Sequence, residues 1–174
     1  VSNTQNINTQ NKSDALMIAV QSNDIETAKY LIDQGANVNM LDSLHDTPYL
    51  YAGAEGRLEI LDYMYQNAEI DYDIRNRYGG NTLIPAAEKG HIDTVRLILD
   101  YGKEPIDLQN NFGYTALIEA VALGDGSEVY QDIVKLLIEH GADPTLQDNS
   151  QKSAIDYAEQ YNYTSILESL KSQQ

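Results

Sequence analysis

Apolar residues recur along this chain in alternating short blocks. Ala15, Leu16 and Ala19 share one face of a first predicted helix. Ile25, Ala28, Leu31 and Ile32 follow with the i, i+3, i+6, i+7 spacing of a second. The pair returns as Tyr49-Leu50-Tyr51-Ala52 with Ile60, Leu61, Met64 and Tyr65, then as Leu83-Ile84-Pro85-Ala86 with Val95, Leu97, Ile98 and Leu99. It returns again as Ala116-Leu117-Ile118 with Ile133 to Ile138, and finally as Ala154 to Ala158 with Ile166, Leu167 and Leu170. One alanine per copy sets the register: Ala19, Ala52, Ala86, Ala120 and Ala158, spaced by 33, 34, 34 and 38 residues. A fixed period of this size predicts a solenoid. One helix pair cannot cover its own apolar face, so each layer is expected to bury it against its neighbours.

The punctuation fits the same unit. Four residues after each alanine stand Asn23, Gly56, Gly90, Gly124 and Asn162, residue types that end helices in the left-handed conformation. Gly35, Gly102 and Gly141 close the second helices. The second copy has Asn67-Ala68 there, so that turn is expected to use Asn67 or to carry modest strain. Thr47 before Pro48, and Asn81 in the third copy, are expected helix caps, and Pro85 falls in a first turn where proline costs least. The fourth copy holds five extra residues, Asp125 to Val129, expected as a solvated loop between its helices. This gives one domain over 12–174, with repeats at about 12–42, 43–76, 77–110, 111–148 and 149–174, the first and last acting as caps. Val1 to Asn11, uncharged and rich in Asn, Gln, Thr and Ser, is expected to be a flexible polar leader.

Composition narrows the function classes. The chain has 174 residues, 42% hydrophobic and 22% charged, as folded domains do. No run approaches the roughly 18 apolar residues of a membrane span. Without cysteine there is no disulfide, thiolate metal site or thiol nucleophile. A net charge of −16 argues against nucleic acid and anionic membranes as partners and favours a protein with a basic surface, although such charge also serves solubility. Charge is uneven: the third copy, with Arg77, Lys89, Arg96 and Lys103, is nearly neutral between two acidic ones. The start at Val1, the polar leader and the lack of cysteine lean toward a processed, exported chain over a cytoplasmic one.

Catalytic chemistry finds little purchase. His45, His91 and His140 fall one per copy at turns or helix ends, without the spacing of converging metal ligands. Asp125-Gly126-Ser127-Glu128 lacks the alternating oxygens of a calcium loop, and Gly79-Gly80 lacks the Gly-Lys-Ser/Thr of a phosphate loop. A carboxylate-dependent hydrolase is the remote alternative, requiring two acids in a shared closed cleft. No catalytic, metal or cofactor residue is assigned, and no cofactor is expected.

The period, the Gly-Tyr-Thr-Ala-Leu and Thr-Pro openings, the Gly90-His91 turn and the Gly-Ala-Asp/Asn closings resemble ankyrin repeats over about Lys12 to Leu170. The resemblance implies an all-α solenoid of stacked helix-turn-helix units with short loop fingers, acting as a non-catalytic protein-protein interaction module through its concave face, as a monomer. One departure stands out. The histidine common in the family's Thr-Pro-Leu-His is replaced by Met17, Leu50, Ile84, Ile118 and Asp156. Loop rigidity is then expected to rest more on packing. By the same resemblance, the partner-contacting positions are Leu44, Asp46, Glu55, Arg77, Tyr78, Glu88, Lys89, Phe112, Tyr114, Leu123, Lys152 and Tyr161. Tyr78, Phe112 and Tyr114 head them because exposed aromatics favour binding hot spots, while packing of loop on loop is the competing role for Tyr78 and Phe112. The other function class is an acidic decoy or inhibitor occupying a basic, nucleic-acid-binding protein surface.

Overall fold

The computed structural model describes residues 3–172, with side chains from Gln10 onward. Among the described residues it is helical, without strands; an isolated bridge pairs Gln147 with Ser153. Ten helices form five pairs: α1 (Asn3–Gln21) with α2 (Ile25–Asp33), α3 (Pro48–Ala54) with α4 (Leu58–Asn67), and α5 (Leu83–Glu88) with α6 (Ile92–Tyr101). α7 (Ala116–Ala122) pairs with α8 (Glu128–Glu139), and α9 (Ala154–Gln160) with α10 (Thr164–Lys171). Odd-numbered helices pack on one another in one row and even-numbered helices in a second. A continuous core runs between the rows. Each register alanine is buried in it, alongside Leu16, Ile60, Leu61, Leu117, Ile133, Leu137 and Ile166. The backbone of α1 is helical from Asn3, through most of the segment expected as a leader, while Val1 and Ser2 lie outside the described residues. The packed portion of α1 supplies an already nucleated helix from which such a segment propagates.

Local chemistry explains the helix starts. Thr47 Oγ1 accepts from Leu50 N with Pro48 at the first helical position, and Thr115 does the same for Ile118 N. Asn81 Oδ1 accepts from Ile84 N at 3.1 Å. Ser153 and Asp156 make a reciprocal capping box at α9.

Three expectations are corrected. Asn23, Gly56, Gly90 and Asn162 are left-handed as expected, but Gly124 is not; between the two helices of the fourth copy the left-handed residue is Gly126, φ 76°. The extra residues postpone the reversal. Gly124 is needed for space instead, since a Cβ there would lie 2.5 Å from the Tyr130 ring. Asn67 and Ala68 carry no strain: the chain leaves α4 at Ala68 in extended conformation, and Asn67 Nδ2 donates to Tyr63 O. On α6 the core positions are Val95 and Ile98, with Leu97 and Leu99 only half-buried, because the packed stripe follows i, i+3 rather than the whole apolar run.

Candidate functional site

Between the helix pairs the chain folds into four fingers that share one device. Each base carries an Asp or Asn, namely Asp42, Asn76, Asn110 and Asp148, whose Oδ1 accepts two backbone N–H groups across the loop. For Asn110 the donors are Phe112 N and Tyr114 N, both at 3.0 Å. Backbone bonds close each loop between the same residue and the one four later. The fingertips at His45, Gly79, Gly113 and Gln151 are left-handed. At Gly113 a Cβ would meet Asn149 N at 2.7 Å, so the next finger fits only against glycine.

The fingers are also tied to one another by hydrogen bonds, beyond the packing on which their rigidity was expected mostly to rest. Asn111 N donates to Tyr78 O at 2.8 Å and Asn149 N to Phe112 O at 3.0 Å. Gln109 Nε2 bridges Gly113 O and Gln147 O, and Asn149 Nδ2 donates to Asn111 O. Side-chain amides take over the bonding role for which the family resemblance pointed to histidine.

The fingers and the odd-numbered helices enclose a groove of about 500 Å³ over the second to fourth pairs. Ten of the twelve expected contact residues line it: Leu44, Asp46 and Glu55; Arg77, Tyr78, Glu88 and Lys89; and Phe112, Tyr114 and Leu123. The other two lie off it. Lys152 Nζ donates to Gln160 Oε1 and sits 5.5 Å from the Tyr157 ring centre, and Tyr161 stacks between Tyr157 and Tyr163. The rim is aromatic. Phe112 lies 6.2 Å from Tyr78 and 6.0 Å from Tyr114 between ring centres, and Arg77 lies 4.8 Å from the Tyr78 ring. Leu44 and Phe112 are 64% and 52% exposed, which leaves large apolar surface facing water. Packing of ring on ring and exposure to solvent coexist here, so neither role proposed for the aromatics excludes the other.

The floor of the groove is acidic. Lys89 is paired with Glu55. Asp46 is pushed above the usual carboxylate range by burial, against the pull of the Thr47 N–H it accepts. Glu119, 6% exposed, accepts from Asn110 Nδ2 at 3.4 Å. Burial and then the nearby charge of Glu88 push its carboxyl up to about 8, while the Asn110 bond pulls the other way. Glu119 was missing from the expected set. Its signal was available: the residue before each register alanine is Ile18, Tyr51, Pro85, Glu119 or Tyr157, and one copy alone puts a charge there. Asn110 was missed because it looks like an ordinary turn residue.

The histidines do not meet. His45 is at a fingertip, and His91 precedes α6 with its ring against Gly56. Burial lowers the His91 pKa first, partly countered by Glu55. His140 ends α8, with Nδ1 2.9 Å from Leu136 O. Among the described residues no three His, Asp or Glu side chains group as metal ligands, and no helix is long and apolar enough to cross a membrane. Asp125, read against a calcium loop, accepts from Ser127 N.

Stacked helix pairs that present rigid fingers over an open groove define a repeat scaffold. Comparison with known proteins places it: the family model described as ankyrin repeats (3 copies) matches residues 1–76 and again 71–148. YahD of Escherichia coli strain K12, described as an ankyrin repeat protein, is 36% identical over 140 residues, spanning 80% of this chain and 69% of YahD. FPV031 of fowlpox virus is 27% identical over 145 residues, and the chain spans 41% of it. The crystal structure of EF0377, an ankyrin repeat protein, superposes with a TM-score of 0.88 at 62% identity, covering 89% of this chain and 78% of that one. An ankyrin repeat domain from Acinetobacter baumannii AYE gives 0.86 at 44%, with the same coverage. The chain belongs to the ankyrin repeat family, whose fold is a general protein-protein interaction module and whose members are generally non-catalytic binding modules.

Proposed function

We propose that this chain holds a partner protein in the groove between its fingers and its odd-numbered helices, on the hollow face of the stack, and that the partner presents a basic surface. The observation that supports this most is the aromatic strip of Tyr78, Phe112 and Tyr114 standing at the rim over an acidic floor. Partly exposed aromatics on rigid fingers offer large contact area at low entropic cost. The acidic floor adds attraction at a distance and selects against acidic competitors. No step of this function requires catalysis by the chain.

Crosslinked capture from the organism of origin tests the reading. The full chain is compared with the triple variant Tyr78→Ala, Phe112→Ala, Tyr114→Ala. A protein retained by the first and lost by the second supports the groove; retention by both refutes it. The net charge of −16 also suits a decoy that covers a basic surface by charge alone. That reading requires binding that collapses with salt yet tolerates loss of the aromatics.

A further inference from the structure

Glu119 is the most deeply buried ionisable group lining the groove. Its Oε1 accepts from Asn110 Nδ2, and among the described residues nothing donates to Oε2. No buried side-chain polar atom among them lacks a partner, so this free oxygen opens onto the groove. The groups around it supply no cation. At the end of α5, Glu88 lines the groove beside Glu119, and Lys89, just past the helix, is taken by Glu55. On α8, the Tyr130 hydroxyl donates to Glu88 O, and on α9 the Tyr157 hydroxyl donates to Asp148. Arg77 lies against Tyr78. A carboxyl withdrawn from water without a counter-charge carries a desolvation penalty that a correctly placed cation would offset.

Asn110 connects this carboxyl to the aromatic rim. Its Oδ1 accepts from Phe112 N and Tyr114 N while its Nδ2 donates to Glu119, so one amide fixes two rings and the acid relative to each other. We infer that this constellation is a subsite for an arginine side chain of the partner, with Glu119 accepting the guanidinium, Glu88 adding negative field, and Phe112 and Tyr114 forming the wall. A guanidinium suits it better than an ammonium, because its flat face packs on rings while its edge forks toward carboxylates. This inference rests on the reading of the groove as a protein-binding surface and specifies what it recognises.

Binding of the cation requires the carboxylate form. Burial and Glu88 hold that form back up to about pH 8 in the free chain, so arginine binding tightens as pH rises toward and past that value. The probe is acetyl-Gly-Arg-Gly-amide, with the neutral citrulline peptide of the same shape as control. Backbone amide shifts of the full chain are followed at about pH 6 and about pH 9. The expected result is a saturable response at Asn110, Phe112 and Glu119 to the arginine peptide only, about tenfold or more tighter at the higher pH. Glu119→Gln, similar in shape and still able to accept from Asn110, is expected to weaken binding about tenfold and abolish the pH dependence.

Equal responses to both peptides would overturn the arginine subsite while leaving the groove as a binding surface. No response to either, or an unchanged Glu119→Gln, also overturns the subsite; the host capture then judges the groove separately. Glu88→Gln is the second variant. It removes a like charge from Glu119, so the pH midpoint for arginine binding must fall. An unmoved midpoint counts against the inference even if Glu119→Gln fails to fold.

Discussion

Two carboxylates draw back between neighbouring layers of the stack, Glu104 in the loop after α6 and Glu119 on α7, and their surroundings differ in the number of donors. Glu104 accepts from Thr82 N at 3.0 Å, Leu83 N at 3.4 Å, the Thr82 hydroxyl and the Tyr49 hydroxyl. Thr82 gives α5 no side-chain cap of its own, so Glu104 supplies a negative charge to that helix start from the far end of the pair. Tyr49 shares a 2.9 Å bond with Tyr65, whose ring stacks on Tyr101 at 4.2 Å. Burial first, and then the charge of Glu104, push the Tyr49 phenol well above its ordinary value, so it remains a donor at any physiological pH. Glu119 has one donor, a like-charged neighbour and an open oxygen. Identical chemistry thus serves as a fastener where donors surround it and as an unsatisfied receptor where they do not.

Removing each acid separates these roles. Glu104→Ala should be the most damaging change, on the order of 3–5 kcal/mol in urea unfolding, because several buried donors lose their acceptor at once. Glu104→Gln, which keeps one acceptor oxygen, should cost roughly half as much. A loss below about 1 kcal/mol for Glu104→Ala would erase the contrast. Glu119→Gln should act in the opposite direction and depend on pH. The folded pKa of Glu119 is raised from 4.5 to about 8. The chain therefore binds more protons folded than unfolded in that window, and the stability tied to this group is complete below it and lost as pH climbs through it. Glu119→Gln should be more stable than the parent by on the order of 1–3 kcal/mol at about pH 9, with the difference gone by about pH 4.

The fold was legible because a solenoid writes its core once per copy. The register alanines, and leucines such as Leu16, Leu61 and Leu117, are buried at the expected phase. The groove was legible in outline, since ten expected residues line it, for the related reason that fingers inherit the period. What stayed hidden was non-local. Glu104 reaches back more than twenty residues to cap α5, and nothing near it in sequence signals that. The insertion of the fourth copy moved the reversal from Gly124 to Gly126, where the Tyr163 ring of the next pair packs against the glycine, a contact across pairs that periodicity does not encode. Lys152 and Tyr161 were carried over by register alone, yet in the fifth pair Lys152 bonds to Gln160 and Tyr161 stacks on Tyr157, so both side chains fold onto their own pair.

The finger bases sharpen the comparison on a smaller scale. Asn76→Ala and Asn110→Ala each remove one acceptor shared by two backbone N–H groups, at a cost of about 1–2 kcal/mol in thermal unfolding. Their effects on Glu119 should differ. Asn110 lowers the pKa of Glu119 through its bond, so Asn110→Ala should raise that pKa further, whereas Asn76→Ala should leave it in place. Carboxyl carbon shifts against pH report it directly. Equal titration in both variants would mean that finger and floor are not joined through Asn110.

The smallest stability change should come from the most exposed aromatic of the rim. Phe112 is 52% exposed, and what it gives to the neighbouring finger is its backbone carbonyl, which Asn149 N still reaches when the ring is gone. Phe112→Ala should therefore shift unfolding by no more than about 0.5–1 kcal/mol, the worth of its tilted contacts with Tyr78 and Tyr114. The same change should weaken partner binding by about tenfold or more if the ring is a hot spot. Melting and binding measured on one preparation decide it. A large loss of stability with unchanged binding would move Phe112 from the receptor side of the molecule to the fastener side, beside Glu104.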